Sequence, residues 1–318
     1  MVLALLVSAA LAAPTAAGEA GGGRLAVVAS TGMVADLVRA VAGDRVEVSA
    51  LMGEGVDPHL YKPTRSDTAR LLRADAVFIN GLLLEGKMGD AFARLKEAGK
   101  PVVAVAEALP AERLVSPPGF DGAHDPHAWM DAALWADTLP AVRDALGRLD
   151  PAGAATYARN AEDYGARLRA LDAYARRVLG SIPANARVLV TAHDAFNYLG
   201  RAYGIEVRGI QGISTESEAG LKAIEELVAL LVERRIPAVF PETSVSDRNV
   251  LALIEGAAAR GHRVALGGAL FSDAMGAPGS YEGTYIGMID HNVTGIARAL
   301  GGEAPASGFQ GKLALAQR

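Results

Sequence analysis

The feature that most constrains the fold is a long helical pattern in the middle of the chain. No proline interrupts the sequence between Pro151 and Pro183. Apolar residues recur there at spacings of four and three, which is the period of one buried helix face: Tyr157, Ala161, Tyr164, Leu168, Leu171, Ala175 and Val178. A helix of about thirty residues would be roughly 45 Å long, more than the width of a small domain. We interpret it as a stiff connection between two domains; a coiled-coil dimer helix is the alternative.

Short apolar runs alternate with amphipathic segments on both sides of this pattern. The runs predict strands at residues 25–29, 46–51, 76–79, 102–105, 187–192, 205–210, 238–240 and 263–266. The alternation predicts an α/β fold with two domains, each a mostly parallel sheet flanked by helices, joined by one long rigid helix. The predicted boundaries are a signal peptide and leader at 1–23, an N-terminal lobe at 24–150, the linking helix at 151–183, a C-terminal lobe at 184–302 and a tail at 303–318.

Three histidines and one aspartate occupy loops or strand ends. His59 lies in the phrase GVDPHLYKPT, where glycine and proline exclude a helix or central strand. His127 lies in DPHAWMD, from which we predict a helix through about residue 149, with both tryptophans in the core. His193 closes the apolar run VLVTAH, and Asp273 follows GGALFS. Because these positions are widely separated in sequence, they could meet only where large parts of the fold converge, as in a cleft between domains.

Each of these histidines has an aspartate within two positions: Asp57, Asp125 and Asp194. A metal-binding imidazole commonly donates its second N–H to a carboxylate or carbonyl, so this proximity suggests metal ligation. Glu242 is predicted at a strand end, in a supporting or interdomain position. Glu216 and Glu218 are interpreted as acids that favour the start of the following helix. His124, His262 and His291 are interpreted as non-ligands.

With these phrases in view, the chain resembles the zinc- and manganese-binding solute-binding proteins of bacterial metal ABC importers. The resemblance runs from about residue 26 to residue 300 and includes the further phrases TAHDAFNYLG at 191–200, GISTESE at 212–218 and GTY at 283–285. It implies a four-ligand site of His59, His127, His193 and Asp273. Some manganese-binding relatives have glutamate in place of His193, and many zinc-binding relatives carry a His-rich loop that is absent here. The resemblance therefore implies one Zn²⁺ or Mn²⁺ as the transported ion.

Composition limits the classes of function. The net charge of −5 and the lack of a basic stripe argue against nucleic-acid binding. The absence of cysteine excludes disulfides and thiolate metal sites. The apolar run at 2–13 is interpreted as an export signal, and no other run approaches the length of a transmembrane helix. We therefore expect a secreted, periplasmic protein that does not span the membrane and, lacking cysteine, is not a lipoprotein.

Two functions remain open at this point. The first is a binding protein, presumed monomeric and not an enzyme, that delivers a divalent metal to a membrane permease for uptake. The alternative is a periplasmic zinc-dependent hydrolase with a three-histidine site and a bound water. The sequence contains no His-Glu-x-x-His element. Four protein ligands would favour transport, because catalytic zinc keeps a coordination position open.

Overall fold

The structure is a computed structural model that describes residues 24–117 and 122–314. Residues 1–23 contain the predicted signal peptide, which therefore lies outside the described residues. No helix within the described ranges is long and apolar enough to cross a membrane.

The N-terminal lobe is built on a parallel sheet of four strands. These are β1 (Leu25–Ala29), β2 (Val46–Ala50), β3 (Ala76–Ile79) and β4 (Val102–Ala104), in the spatial order β2-β1-β3-β4. The flanking helices are α1 (Gly32–Ala42), α2 (Arg65–Arg73), α3 (Gly89–Glu97), α4 (Ala132–Ala136) and α5 (Leu139–Leu149). Helices cover both faces of this sheet, as a strand–helix–strand sequence requires.

The C-terminal lobe repeats this strand order. Its strands are β5 (Val188–His193), β6 (Glu206–Gln211), β7 (Ala238–Val239) and β8 (Ala265–Leu266). The pairs β5–β6 and β7–β8 are parallel, and a parallel bridge between Thr191 and Phe240 joins them in the order β6-β5-β7-β8. Its helices are α7 (Asn197–Tyr203), α8 (Leu221–Glu233), α9 (Arg248–Ala259) and α10 (Tyr285–Ala299).

A single long helix, α6 (Ala154–Gly180), connects the lobes. It has 27 residues, and all seven positions of the predicted apolar pattern are buried. The helix packs against α1, α4 and α5 of the first lobe and against α7 and α10 of the second. The predicted α/β fold with a long linking helix is confirmed, whereas the domain boundaries stay predictions.

The prediction of one continuous helix from the DPHAWMD phrase to residue 149 is wrong. The segment forms a 3₁₀ turn (Ala128–Met130), then α4, then α5. Pro140 lies in the first turn of α5, where its missing N–H is tolerated, but it cannot extend the hydrogen bonds of a preceding helix. Both tryptophans, Trp129 and Trp135, are fully buried as predicted.

The end of the described chain also differs from the expectation of a loose tail. Asp290, which is buried on α10, accepts hydrogen bonds from the backbone N–H of Phe309 at 2.8 and 2.9 Å. The Phe309 ring packs against Tyr174 of α6, with centroids 5.2 Å apart. The segment around residue 309 is therefore part of the C-terminal lobe.

Candidate metal centre

The structure brings all four predicted site residues together between the lobes. The side chains of His59, His127, His193 and Asp273 each offer a ligand atom, and these atoms lie within 4.8 Å of one another. The N-terminal lobe supplies two of them and the C-terminal lobe supplies the other two. All four side chains are buried, with exposures of 4% or less.

Four distances between the candidate ligand atoms are close to those expected around one metal ion, and all the atoms lie within 4.8 Å of one another. His59 Nε2 lies 3.4 Å from His127 Nε2 and 3.7 Å from Asp273 Oδ2. Asp273 Oδ1 lies 3.3 Å from His127 Nε2, and Asp273 Oδ2 lies 3.2 Å from His193 Nε2. Tetrahedral zinc with bonds near 2.0 Å would separate its ligand atoms by about 3.3 Å. The site is therefore shaped for one small divalent cation.

Several of these atoms lack a hydrogen-bond partner of suitable geometry. Within residues 24–117 and 122–314, they are His193 Nε2 and both carboxylate oxygens of Asp273. Buried polar atoms are nearly always paired, so an unpaired nitrogen and two unpaired oxygens that face one point need an explanation. A cation bound among them would satisfy all three. The donor set, imidazole nitrogen with one carboxylate, suits zinc and is acceptable to manganese.

His127 is positioned by the carboxylate two residues before it. Asp125 Oδ1 accepts hydrogen bonds from the His127 backbone N–H at 2.9 Å and from Nδ1 at 2.7 Å. Asn197 Nδ2 donates to the other oxygen of Asp125 at 3.0 Å. With Nδ1 donating, Nε2 of the neutral ring is left free to bind a metal. Here the sequence neighbour is the ring's partner, as the spacing suggested.

His193 has a partner that is distant in sequence. Glu242, just after β7, accepts from the His193 backbone N–H at 2.8 Å and lies 2.5 Å from Nδ1. Asp194, the neighbour singled out in the sequence, makes no hydrogen bond with the ring, whose Nδ1 lies beside Glu242. The end of β7 lies beside the end of β5 through the Thr191–Phe240 bridge, which explains why the partner comes from another strand. The supporting position predicted for Glu242 is confirmed.

The loops that carry His59 and Asp273 are held by hydrogen bonds between side chains and the loop backbone. Asp57 Oδ1 accepts the His59 backbone N–H at 2.8 Å and therefore orients the loop rather than the ring. Trp129 Nε1 donates to the carbonyl of Ser272 at 2.9 Å, next to Asp273. Its ring also lies 5.1 Å from the His127 ring. Trp129 thus joins the loops of one ligand from each lobe.

The pKa values of the three clustered histidines are shifted in different directions: that of His59 is lowered, and those of His127 and His193 are raised. Burial lowers the pKa of His59 to about 4. Burial also disfavours a charge on His127, but Asp125 and Asp273 outweigh it and raise the pKa of His127 to about 9. Glu242 and Asp273 likewise hold the pKa of His193 well above its ordinary value against the effect of burial. Burial would raise the pKa of Asp273, but His193 and His127 keep it well below its usual range.

The other histidines make local contacts away from the centre. His124 Nδ1 lies 2.8 Å from Ser116 Oγ on the surface. His262 Nε2 lies 2.8 Å from the carbonyl of Ile236, and His291 Nε2 lies 3.0 Å from that of Ala269. None of them belongs to the cluster of four.

The interpretation of Glu216 as a helix-start residue is wrong. Helix α8 begins only at Leu221, and its first turn contains no acidic residue. Glu216 instead forms an ion pair with Lys87 of the other lobe. This pairing could not be predicted, because two exposed charges more than a hundred residues apart carry no sequence pattern that relates them.

Comparison with known proteins identifies the family. A family model described as ZnuA, zinc-uptake complex component A, periplasmic, matches residues 27–299. The manganese-binding lipoprotein MntA of Bacillus subtilis is 45% identical over 284 residues, which cover 89% of this chain and 92% of MntA. The zinc-binding protein TroA of Treponema pallidum is 46% identical over 278 residues, which cover 87% of this chain and 89% of TroA. A solved structure of TroA matches with a TM-score of 0.85 over 87% of this chain and 99% of that one.

These relatives correct the predicted localisation. MntA and several further relatives are named lipoproteins, so attachment to a membrane by lipid occurs among close relatives of this chain. The prediction that the protein is not a lipoprotein rested only on the absence of cysteine. The lipoprotein relatives contradict it.

The family match covers both lobes and all four clustered residues, and the relatives bind manganese or zinc. The alternative of a zinc hydrolase finds no support among them. The chain belongs to the zinc-uptake component A family, the metal-binding components of ABC metal-uptake systems.

Proposed function

We propose that this protein captures one Zn²⁺ or Mn²⁺ through His59, His127, His193 and Asp273 and delivers the ion to the permease of an ABC importer. The observation that carries the proposal is the convergence of three imidazole nitrogens and one carboxylate within 4.8 Å. Imidazole and carboxylate donors at this spacing match the preferences of small divalent transition metals.

Binding and transport fit the site better than catalysis. Four protein ligands complete a tetrahedral sphere, whereas catalytic zinc typically keeps one position for water or substrate. The ligands are also almost fully buried, which leaves little room for a substrate beside the ion. We therefore propose that the protein is not an enzyme. We also propose that it acts as a monomer, which light scattering of the loaded protein would test.

Chemistry favours zinc in equilibrium affinity but does not fix the physiological cargo. In a site of nitrogen and oxygen donors, Zn²⁺ binds more tightly than Mn²⁺ at equal geometry. Both oxygens of Asp273 face histidine nitrogens, so a bidentate carboxylate can raise the coordination number to suit Mn²⁺. Metal analysis of the protein purified from its own source, without added metal, would distinguish the two.

The ligand assignment is tested by calorimetry with Zn²⁺ and Mn²⁺. Replacing any one of the four residues by alanine should weaken binding by at least about 100-fold, since it removes a direct ligand and changes of supporting residues alone cost 10–100-fold. His124→Ala is the matched control, because His124 is a histidine outside the cluster. Parent-like zinc affinity in His193→Ala would overturn the assignment.

A further inference from the structure

A cation at the centre is enclosed by protein on every side. His59 is 4% exposed and Asp273 is 2% exposed, while His127 and His193 are fully buried. An ion held by these side chains cannot be exchanged unless part of the surrounding structure moves. The question is which part moves most easily.

The segment at residues 212–218, which we call the cleft loop, follows β6 of the C-terminal lobe and contacts the loop that carries His59. It contains no helix or strand. Its attachments to its own lobe are long: Asp194 N–H to the Gly212 carbonyl at 3.4 Å and Gln211 Nε2 to the Ser217 carbonyl at 3.3 Å. Ile213 and Thr215 of this segment are buried, but a segment with few and long hydrogen bonds is among the parts of a protein that open locally at low free-energy cost.

The cleft loop is tied to the N-terminal lobe by two side-chain contacts. Thr215 Oγ1 donates to Asp57 Oδ2 at 2.5 Å, two residues before the ligand His59. Beside it, Glu216 forms the ion pair with Lys87. We call these two contacts the latch. Among the described residues, no backbone hydrogen bond joins the cleft loop to the N-terminal lobe.

A polar cavity of about 270 Å³ lies at the same place. Asp57 and Leu60 form its N-terminal wall, and Gln211, Thr215, Ser244 and Arg248 form its C-terminal wall. The cavity therefore lies between loops of the two lobes. One of its lining residues is Leu60, which directly follows His59. Both residues of the Thr215–Asp57 contact line this cavity, so breaking that contact would widen the cavity beside the loop that carries His59.

From these contacts we infer that the latch controls the rate of metal exchange, with the cleft loop acting as the lid of the metal site. This inference rests on the proposed function of metal capture. The latch side chains are not ligands themselves, so they hold the loop whether or not an ion is present. Their removal should therefore accelerate both uptake and release, whereas loss of a ligand removes binding itself.

The test uses stopped-flow measurements of zinc uptake, and of zinc release to excess chelator, with the full chain. Thr215→Val removes the hydroxyl at nearly constant shape and should speed both rates about tenfold, the usual effect of a hydrogen bond to a charged group. Glu216→Gln should speed both by about two- to fivefold, because an exposed ion pair contributes little. The double variant Lys87→Glu with Glu216→Lys should return to within about twofold of the parent.

Glu226→Gln is the matched control, since Lys222 and Glu226 form an exposed ion pair within α8 that does not bridge the lobes. Its rates should equal those of the parent. Parent-like rates in Thr215→Val and Glu216→Gln would overturn the latch. Faster release without faster uptake in Thr215→Val would also overturn it, because Thr215 would then act only by positioning His59 through Asp57. A parent that binds neither zinc nor manganese would overturn the proposed function itself, which separates the two failures.

Discussion

At the scale of single residues, the metal centre depends on carboxylates that are not ligands. Glu242 holds both the backbone and the ring of His193, at 2.8 and 2.5 Å. Asp125 does the same for His127. Such carboxylates fix the ring orientation and increase the basicity of the ligating nitrogen. The orientations of the His193 and His127 rings are therefore set by Glu242, which follows another strand, and by Asp125 of the same loop.

Glu242→Gln should accordingly weaken zinc binding by about 10- to 100-fold, the usual cost of losing a carboxylate that supports a metal-binding histidine. The amide keeps the shape but loses the charge. Asp194→Asn is the matched control, because Asp194 is adjacent to His193 in sequence but forms no hydrogen bond with its ring. Calorimetry would measure both; equal losses in the two variants would contradict the role assigned to Glu242.

Metal loading should release protons at neutral pH. The pKa of His127 in the metal-free protein is raised to about 9, so this ring carries an extra proton at pH 7. The pKa of His193 is also raised by Glu242 and Asp273, so its ring retains a proton to higher pH than a free imidazole does. Metal and proton compete for the same nitrogen. Each proton displaced makes zinc affinity rise about tenfold per pH unit, and for His127 this continues from below pH 7 up to about pH 9.

Calorimetry in two buffers of different ionisation enthalpy would count these protons. We expect between one and two released per zinc at pH 7, and fewer above pH 9. The lowered pKa of His59, about 4, means that this ring is already neutral at pH 7 and contributes none. Binding without proton release at pH 7 would contradict the raised pKa values.

At the scale of elements, the C-terminal segment is held by one buried carboxylate on α10. Asp290 accepts hydrogen bonds from Phe309 N–H, from Tyr281 Oη at 2.9 Å and from Thr294 Oγ1 at 3.0 Å. Thr294 in turn lies 2.7 Å from Tyr174 Oη of α6. The carboxylate therefore joins the last helix, the segment after it and the linking helix.

Asp290→Ala should lower the free energy of unfolding by about 2–4 kcal/mol, since it leaves several buried donors without an acceptor. Zinc affinity should change little, because Asp290 does not contact the metal centre. Asp144→Ala is the control: its ion pair with Arg143 is exposed and should contribute less than about 1 kcal/mol. Urea unfolding of the metal-free proteins would measure both. A loss in Asp290→Ala no larger than in the control would refute the role of this carboxylate.

The sequence predicted elements better than it predicted their contacts. The loop and strand-end positions of His59, His127, His193 and Asp273 are visible locally, but their interpretation as one ligand set came from the family resemblance and stays a prediction. Glu242 could be placed at a strand end, but its pairing with His193 depends on β5 and β7 being neighbours, which no local pattern encodes.

Other errors have the same physical origin. The break between α4 and α5 was missed because the apolar period continues through Pro140, although the hydrogen bonds do not. The latch was missed because exposed polar residues such as Thr215 and Lys87 have no periodicity that would relate them across the cleft.

At the scale of the whole molecule, α6 limits how far the lobes can move. One face of this 27-residue helix is buried against both lobes, and it contains no proline or chain break where a hinge could form. Proteins that close widely around a ligand instead rotate about a few loop residues.

Small-angle X-ray scattering should therefore give radii of gyration for the empty and zinc-loaded protein that differ by less than about 1 Å. The same samples should show the difference in stability that binding requires, since a ligand that binds only the folded state raises the melting temperature. A change in radius of several ångströms on loading would contradict a rigid linking helix.

The stiffness of α6 has a consequence for competition at the membrane. If the empty and loaded proteins have nearly the same outline, a permease that recognises that outline binds both. Unloaded molecules then occupy the transporter without delivering cargo, and an excess of them slows import instead of supporting it. Under metal starvation, when most copies are empty, the uptake rate would therefore pass through a maximum as the amount of this protein increases.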